Sequence, residues 1–531
     1  MRLSIETARL PLSAERISNA IASTGVASIG KSLFWSLAFG IAYTQAPLYT
    51  SNQNTKFLIG LADGGLGFLN EDWLANTIDP FPVFSFLVYV TYRHLPEYMF
   101  YFFNILIFGV YLYSMAGIAS RIYNIDRERP EYVTFLVVII ALHSYAFDSL
   151  SLRIFGIEMG QLLHYGVAEQ HMIGRIFQPS VFGVFILLSI YAFLCHKIFL
   201  AAFLVALSSI IHPAYVPISA VVTLSYMAVV FMEENSPKKP LAIGIFNLIL
   251  VSPLLSYYYI QFSPTSPEIW SKASAILVNV RSPHHMIAEV WLGWPVYAKF
   301  ALTIGALYLV RRTTLFLIML LPLLMGILLT VAQLLSENAT LAAFTPWRIS
   351  VFLVPLSLGI IVAWAVSHLF RKFAGQIHRN RQVIAAVNFA AILILVLYGV
   401  NTHVKRHAKY YSGDSVAMMD FVRETKSSGG IYLVPVELED FRLYTGAPTF
   451  VTFKSGPVKD VEYLEWYKRL VAARRFYAAE DGACKILRAL DEHYRITHVI
   501  VESAQLDDRC GGNLYQLYRD DRYRVYKIQK Q

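Results

Sequence analysis

Apolar runs of about 20 residues recur along the chain from Lys31 to Asn401. A run of that length matches the hydrocarbon thickness of a bilayer when it is helical. A helix also satisfies its own backbone polar groups, which an isolated strand does not. Only 15% of the 531 residues are charged and 56% are hydrophobic. A soluble chain of this size divides into several domains, each needing a polar coat. That coat is missing, so a soluble enzyme, a disordered scaffold and a disulfide-rich secreted mini-protein are excluded. The reading that remains is a multi-span α-helical membrane protein.

Eleven spans are expected, near 31–48, 98–119, 131–148, 178–195, 197–211, 213–232, 241–260, 297–310, 314–334, 348–369 and 383–400. A shorter segment, 81–95, is expected to lie in the interface. The net charge of +9 is explained by loop charges that set orientation, so nucleic acid is not an expected partner. One side of the membrane collects Arg2, Arg9, Arg16, Lys31, Arg121, Arg127, Arg129, Lys197, Lys238, Lys239, Arg311, Arg312, Arg371, Lys372, Arg379 and Arg381, all in short connections. The other takes Lys56, Arg93, Arg153, Arg175, Lys272 and Arg281, in much longer loops. This bias predicts a cytoplasmic N-terminus. Residues 1–30 form a polar cytoplasmic segment without a cleavage site, and the first apolar run serves as a signal anchor. Residues 31–401 are the polytopic domain. An odd number of spans then puts residues 402–531 outside.

The tail changes composition abruptly. Helices are expected at 414–427, 461–473 and 480–490, and strands at 431–436, 449–453, 498–502, 515–518 and 523–528. This is a small α/β domain. Cys484 and Cys510 both lie in it and are able to pair in an oxidising compartment. Cys195 ends an apolar segment and is read as inert.

The exterior loops, 49–97, 149–177, 262–296 and 335–347, hold the chemistry-bearing residues. Glu71-Asp72 follows the first span, flanked by Leu69, Trp73 and Leu74; a carboxylate there suits a general base. Asp63 and Asp79 are read as turn residues of a solvated loop. The second loop carries Glu158, His164, Glu169, His171, Arg175 and Gln178. His171, Arg175 and Gln178 fall near one face at helical spacing, and Arg175 suits a phosphate. His212-Pro213 reads as a tight turn. Arg281, His284 and His285 make a compact cationic corner in the third loop, favouring phosphate or sugar over a metal. Arg348 opens the tenth span, where an arginine is costly unless it pairs. In the tail, Lys454 is read either as part of a salt-bridged α/β surface or as reaching the membrane site or the acceptor.

With these residues in view, the chain resembles the GT-C superfamily of membrane glycosyltransferases. The resemblance rests on the many spans, the acidic pair Glu71-Asp72 in the first exterior loop, further polar residues on later exterior loops and a C-terminal exterior domain. It is also similar to uncharacterised bacterial multi-pass proteins, through Asp72-Trp73 to Pro80, Arg281 to His285, Pro346 to Arg348, Phe441 to Gly446, Phe453 to Ser455 and Glu465 to Arg469. The resemblance implies transfer of a sugar from a polyprenyl-phosphate carrier to a glycan, lipid or protein acceptor in a bacterial inner membrane. Asp72 is the implied base, with Glu71 next. Arg348, Arg175, His171, Arg281, His284, His285 and Lys454 are the implied contacts to the anionic donor. A clear DxD motif is missing, and the metal is left as unknown, with room for a divalent cation. A transporter or flippase and a non-catalytic scaffold are the competing readings. Spans nearly free of ionisable residues, and the lack of an internal repeat, count against transport.

Overall fold

The computed structural model describes residues 26–127, 129–336, 338–479, 482–502 and 514–529. The expected charges at Arg2, Arg9 and Arg16, and Cys510, lie outside the described residues. Every expected span coincides with a helix or a pair of helices. By length and composition, six of these helices suffice to cross a membrane: Met99–Tyr123, Pro213–Glu234, Lys238–Phe262, Leu315–Ser336, Ala339–Lys372 and Arg381–Tyr411. A seventh is Pro130–His143 with Tyr145–Phe155, bent by 57° at Ser144. Pro179–Leu194, Ile198–Ile211 and Trp294–Val310 are apolar but shorter. The segment expected in the interface is the helix Pro82–His94.

Punctuation in the sequence explains where the helices begin and end. Prolines open those at Pro82, Pro130, Pro267 and Pro283, where a missing N–H costs nothing. Asn124 and Asn235 close two others in the left-handed conformation. The outer faces stay apolar: Ile249 on Lys238–Phe262 is 63% exposed and Phe389 on Arg381–Tyr411 is 65%. Patches of this extent are unfavourable in water and suit lipid.

The tail builds a four-stranded sheet in the order β1 (Tyr432–Leu433), β2 (His498–Glu502), β4 (Tyr523–Ile528), β3 (Leu514–Arg519). β1 runs parallel to β2; the other pairs are antiparallel. The strand expected at 449–453 is reduced to one bridge, Tyr432 to Thr449. Helices Asp460–Ala478 and Ala483–Tyr494 cover the sheet and bury Trp466, Leu470 and Leu487. Helix Phe441–Thr445 was not expected from the sequence. Cys484 is disulfide-bonded.

This domain sits on the long loops. Trp73 packs against both hydrophobic cores, and Ala273 of the third loop belongs to the tail's core. In the other direction, Leu443 of the tail is buried in the core of the bundle. The Phe68 amide donates to the Gly446 carbonyl at 2.9 Å. At Gly67 (φ +54°) a Cβ would come within 2.3 Å of that same oxygen, so only glycine permits the approach. The tail and loops 49–97 and 262–296 thus share one end of the bundle.

Candidate functional site

The two members of the acidic pair differ: Asp72 is buried and Glu71 is exposed. Asp72 is buried, and its carboxylate accepts from Arg442 Nε at 2.8 Å, the Thr449 amide at 2.8 Å and the Leu74 amide at 2.8 Å. Arg442 also donates to the Thr449 carbonyl. With three donors on it and no solvent access, Asp72 has no lone pair directed at a substrate. Glu71 accepts from Ser428 Oγ at 2.6 Å and the Gly429 amide at 2.7 Å. Both carboxylates tie the first loop to the tail. For Asp72 this corrects the assignment as a catalytic base: its charge is a buried structural clasp.

The cations, by contrast, converge. Lys56 lies at the end of the short helix Gln53–Lys56, with Nζ 4.0 Å above the Phe81 ring. Burial, with Arg281 and Arg348 nearby, lowers its pKa to about 7. His212 stacks on the same Phe81 ring, with centroids 5.5 Å apart. Burial, then Arg348 and Lys56, hold the His212 imidazole well below its usual range. His171 is likewise lowered by burial and by Arg348 and Arg175. His285 is lowered to about 4 by burial, by His284 and by Arg348. Arg348 acts on all four of these groups, and Arg281 acts on Lys56 as well, so Lys56, His171, His212 and His285 are arranged around Arg348, with Arg281 beside Lys56. Lys56 and Arg348 are half-buried, and Lys56 borders a small cavity.

Tertiary ties hold these groups in place. Trp347 Nε1 donates to the His285 carbonyl at 3.0 Å, which joins the turn Pro346–Ile349 to the third loop. His285 Nδ1 lies 2.8 Å from the Ala168 carbonyl and donates to it, so the neutral ring presents Nε2 as its acceptor. A π-turn, Leu277–Arg281, delivers Arg281, whose Nη2 donates to the Lys454 carbonyl at 2.6 Å. Lys299 Nζ donates to the Gly166 carbonyl at 2.8 Å. Three left-handed residues adjoin the cluster: Ala168 (φ +55°), Glu169 (φ +57°) and Thr345 (φ +45°). Such conformations are costly for β-branched Thr345 and tend to collect at functional sites.

The remaining expected residues divide. Arg175 is 3.9 Å from Asp148 and stacks over Tyr145, one step removed from the cluster through His171. His284 lies over His285, with ring centroids 4.0 Å apart, and is the more exposed of the two. Lys454 contributes its carbonyl to Arg281. Segment 170–178 is irregular, not helical, so His171, Arg175 and Gln178 do not share a helical face. It is stitched instead by Gln53 Nε2 to the Phe177 carbonyl, Asn104 Nδ2 to the Gly174 carbonyl and the Ala46 amide to the Arg175 carbonyl.

Two residues passed over in the sequence belong here. Lys56 is the lone charge between Thr44 and Ala62, on the side that basic residues otherwise avoid; that was the available signal. Asp79 faces Lys56 across a small cavity closed by Gly456 and Pro457 of the tail. Its carboxylate accepts from the Phe81 amide at 2.8 Å, and burial raises its pKa.

Chemically, the arrangement is suited to an anion. The guanidinium groups of Arg281 and Arg348 and the ammonium group of Lys56 come from three segments, and such groups are suited to pairing with a phosphate. The donor set does not fit a divalent cation: among the described residues no three His, Cys, Asp or Glu side chains converge as ligands.

A family model, described as a domain of unknown function (DUF6798), matches residues 413–473. That stretch includes Arg442, Thr449, Lys454 and Gly456, the part of the tail that clasps the first loop and closes the Lys56 cavity. No curated protein matches the chain.

Proposed function

We propose that this chain is a membrane glycosyltransferase that takes a sugar from a polyprenyl-phosphate donor at the end of the bundle covered by the C-terminal domain. On this reading eleven segments cross the bacterial inner membrane. The N-terminus lies in the cytoplasm, and the cation cluster and the tail lie outside. The observation that carries the reading is the convergence of Lys56, Arg281 and Arg348 with three histidines beside apolar helices.

Displacement at an anomeric carbon leaves growing negative charge on the departing lipid phosphate. Cationic donors fixed at that position stabilise the charge without reorganising. Arg348 and Arg281 hold the phosphate, with Lys56 as a third donor. The bond from the anomeric carbon to the phosphate oxygen breaks and a bond to the acceptor hydroxyl oxygen forms. The acceptor's proton passes to a carboxylate on the opposite face, as in inverting glycosidases. Asp79 takes the role assigned above to Asp72, because its carboxylate shares the Lys56 cavity and burial raises its proton affinity.

The test is mass spectrometry of surface glycans and glycolipids from cells with and without the chain, and with Arg348→Ala or Asp79→Asn. A difference of one sugar unit, lost in both variants while the protein still accumulates in the membrane, supports the reading. Removing one such charge donor typically costs about a hundredfold in rate. Unchanged glycans in the deletion strain overturn it. A second reading, a non-catalytic lipid-phosphate receptor on the same scaffold, is favoured by the use of both Asp72 and Glu71 as ties. It expects Asp79→Asn to keep function and Arg348→Ala to lose it.

A further inference from the structure

We propose that the opposite end of the bundle carries a binding site for the phosphate of an anionic phospholipid. A cavity of about 650 Å³ opens there, lined by Arg129, Arg371, His378 and Arg381. These residues come from the starts and ends of separate helices: Arg129 precedes Pro130–His143, Arg371 ends Ser350–Lys372, and Arg381 begins Arg381–Tyr411. The cavity lies far from the cation cluster described above. Arg371 Nη2 donates at 2.8 Å to the carbonyl of Tyr123, the last residue of Met99–Tyr123. The first turns of that helix face the long loops instead, where the Tyr101 hydroxyl receives the Leu48 amide.

Two features point to a lipid headgroup rather than to a soluble anion. The lining is mixed, with Phe370, Ala374 and Ile377 giving it an apolar part. The outer surface beside it is also apolar: Leu369, Phe373, Val383 and Val387 are exposed within a turn or two of Arg371 and Arg381. A charged recess bordered by lipid-facing side chains sits at headgroup depth. There an acyl chain lies along the apolar surface while the phosphate enters the recess.

The charge balance selects the headgroup. Asp126 and Glu131 also line the cavity, but Asp126 is 3.8 Å from Arg129 and is partly neutralised by it. The arginines outnumber the two carboxylates, and Lys372 and Arg379 flank them in sequence. A headgroup with net negative charge fits this balance better than a zwitterion. Arg371 is already oriented by the Tyr123 carbonyl, so a bidentate contact to phosphate needs little further ordering.

The experiment is native mass spectrometry of the full-length chain in detergent micelles doped with phosphatidylglycerol or phosphatidylcholine, with millimolar inorganic phosphate as competitor. The wild-type chain is expected to retain phosphatidylglycerol about tenfold more than phosphatidylcholine, and phosphate is expected not to displace it. Arg129→Ala with Arg381→Ala is expected to abolish that preference. Lys238→Ala, at the same end but outside the cavity, keeps it. Equal retention of the two lipids by the wild-type chain overturns the proposal, whatever the double variant does. Displacement by inorganic phosphate overturns the lipid assignment, and loss of preference in Lys238→Ala overturns the location. The result is independent of the glycan measurement, because the two sites lie at opposite ends of the bundle.

Discussion

Asp72 meets Arg442 across 370 residues of sequence, and both side chains are withdrawn from solvent. Removing one partner leaves an uncompensated buried charge, which costs about 3–5 kcal/mol. Asp72→Ala and Arg442→Ala are therefore each expected to lower the thermal unfolding midpoint in detergent by similar amounts. The double substitution should cost less than the two added together. A catalytic base would give a different pattern, with Arg442 dispensable for folding and only Asp72 needed for transfer. Lys56 allows a second test at this scale. Its folded pKa is about 7 against an ordinary 10.5, because of burial and the charges of Arg281 and Arg348. Below pH 7 the amine is protonated whether the chain is folded or not. Between about 7 and 10.5 only the unfolded chain keeps the proton, so this group's contribution to stability rises with pH over that window. Phosphate binding has the opposite sense, since it favours the charged amine. Affinity for a phosphate probe is expected to fall as pH rises through 7, and Lys56→Arg is expected to flatten the profile. Titration calorimetry in two buffers of different ionisation heat reads the proton taken up on binding; no proton uptake near neutral pH would remove Lys56 from the site.

The elements show where periodicity carries information and where it does not. Apolar runs, opening prolines and closing asparagines were legible, and the helices follow them closely. The stretch 170–178 has helical spacing but no helix, because its carbonyls are taken by Gln53, Asn104 and the Ala46 amide from other segments. Those bonds replace the i to i−4 ladder, and nothing local announces them. The tail strand expected at 449–453 fails for a related reason: the Thr449 amide donates to Asp72 instead of to a neighbouring strand. The junction of Gly67 with Gly446 provides the test at this scale. Gly67→Ala combines a left-handed φ with a Cβ 2.3 Å from a carbonyl oxygen. It is expected to destabilise the contact by about 1–3 kcal/mol and to speed limited proteolysis between the last span and the tail. Gly65→Ala, also left-handed but with open space around its Cβ position, should release the tail much less.

At the scale of the molecule, the charge bias of the loops anticipates two chemically different ends, and the contacts separate them. The tail, the long loops and the cation cluster occupy one end; Arg129, Arg371 and Arg381 line the other. Single cysteines at Lys272 and Lys238 are expected to react with an impermeant maleimide from opposite sides of intact cells or vesicles, with Lys272→Cys labelled from outside. Labelling of both from one side would break the topology. What the sequence determined by itself is the helical class, with apolar helices long enough to cross a membrane, and the α/β character of the tail. These follow from local composition and from the cost of placing charge or bare backbone in hydrocarbon. Only the tertiary structure decided which charges do what. Glu71 and Asp72 became ties, while Lys56, Asp79 and His212 joined Arg281, Arg348, His171 and His285 in one region. The physical reason is that a side chain's partners are set by distance in space, and a carboxylate next to buried donors is spent on them long before it can meet a substrate.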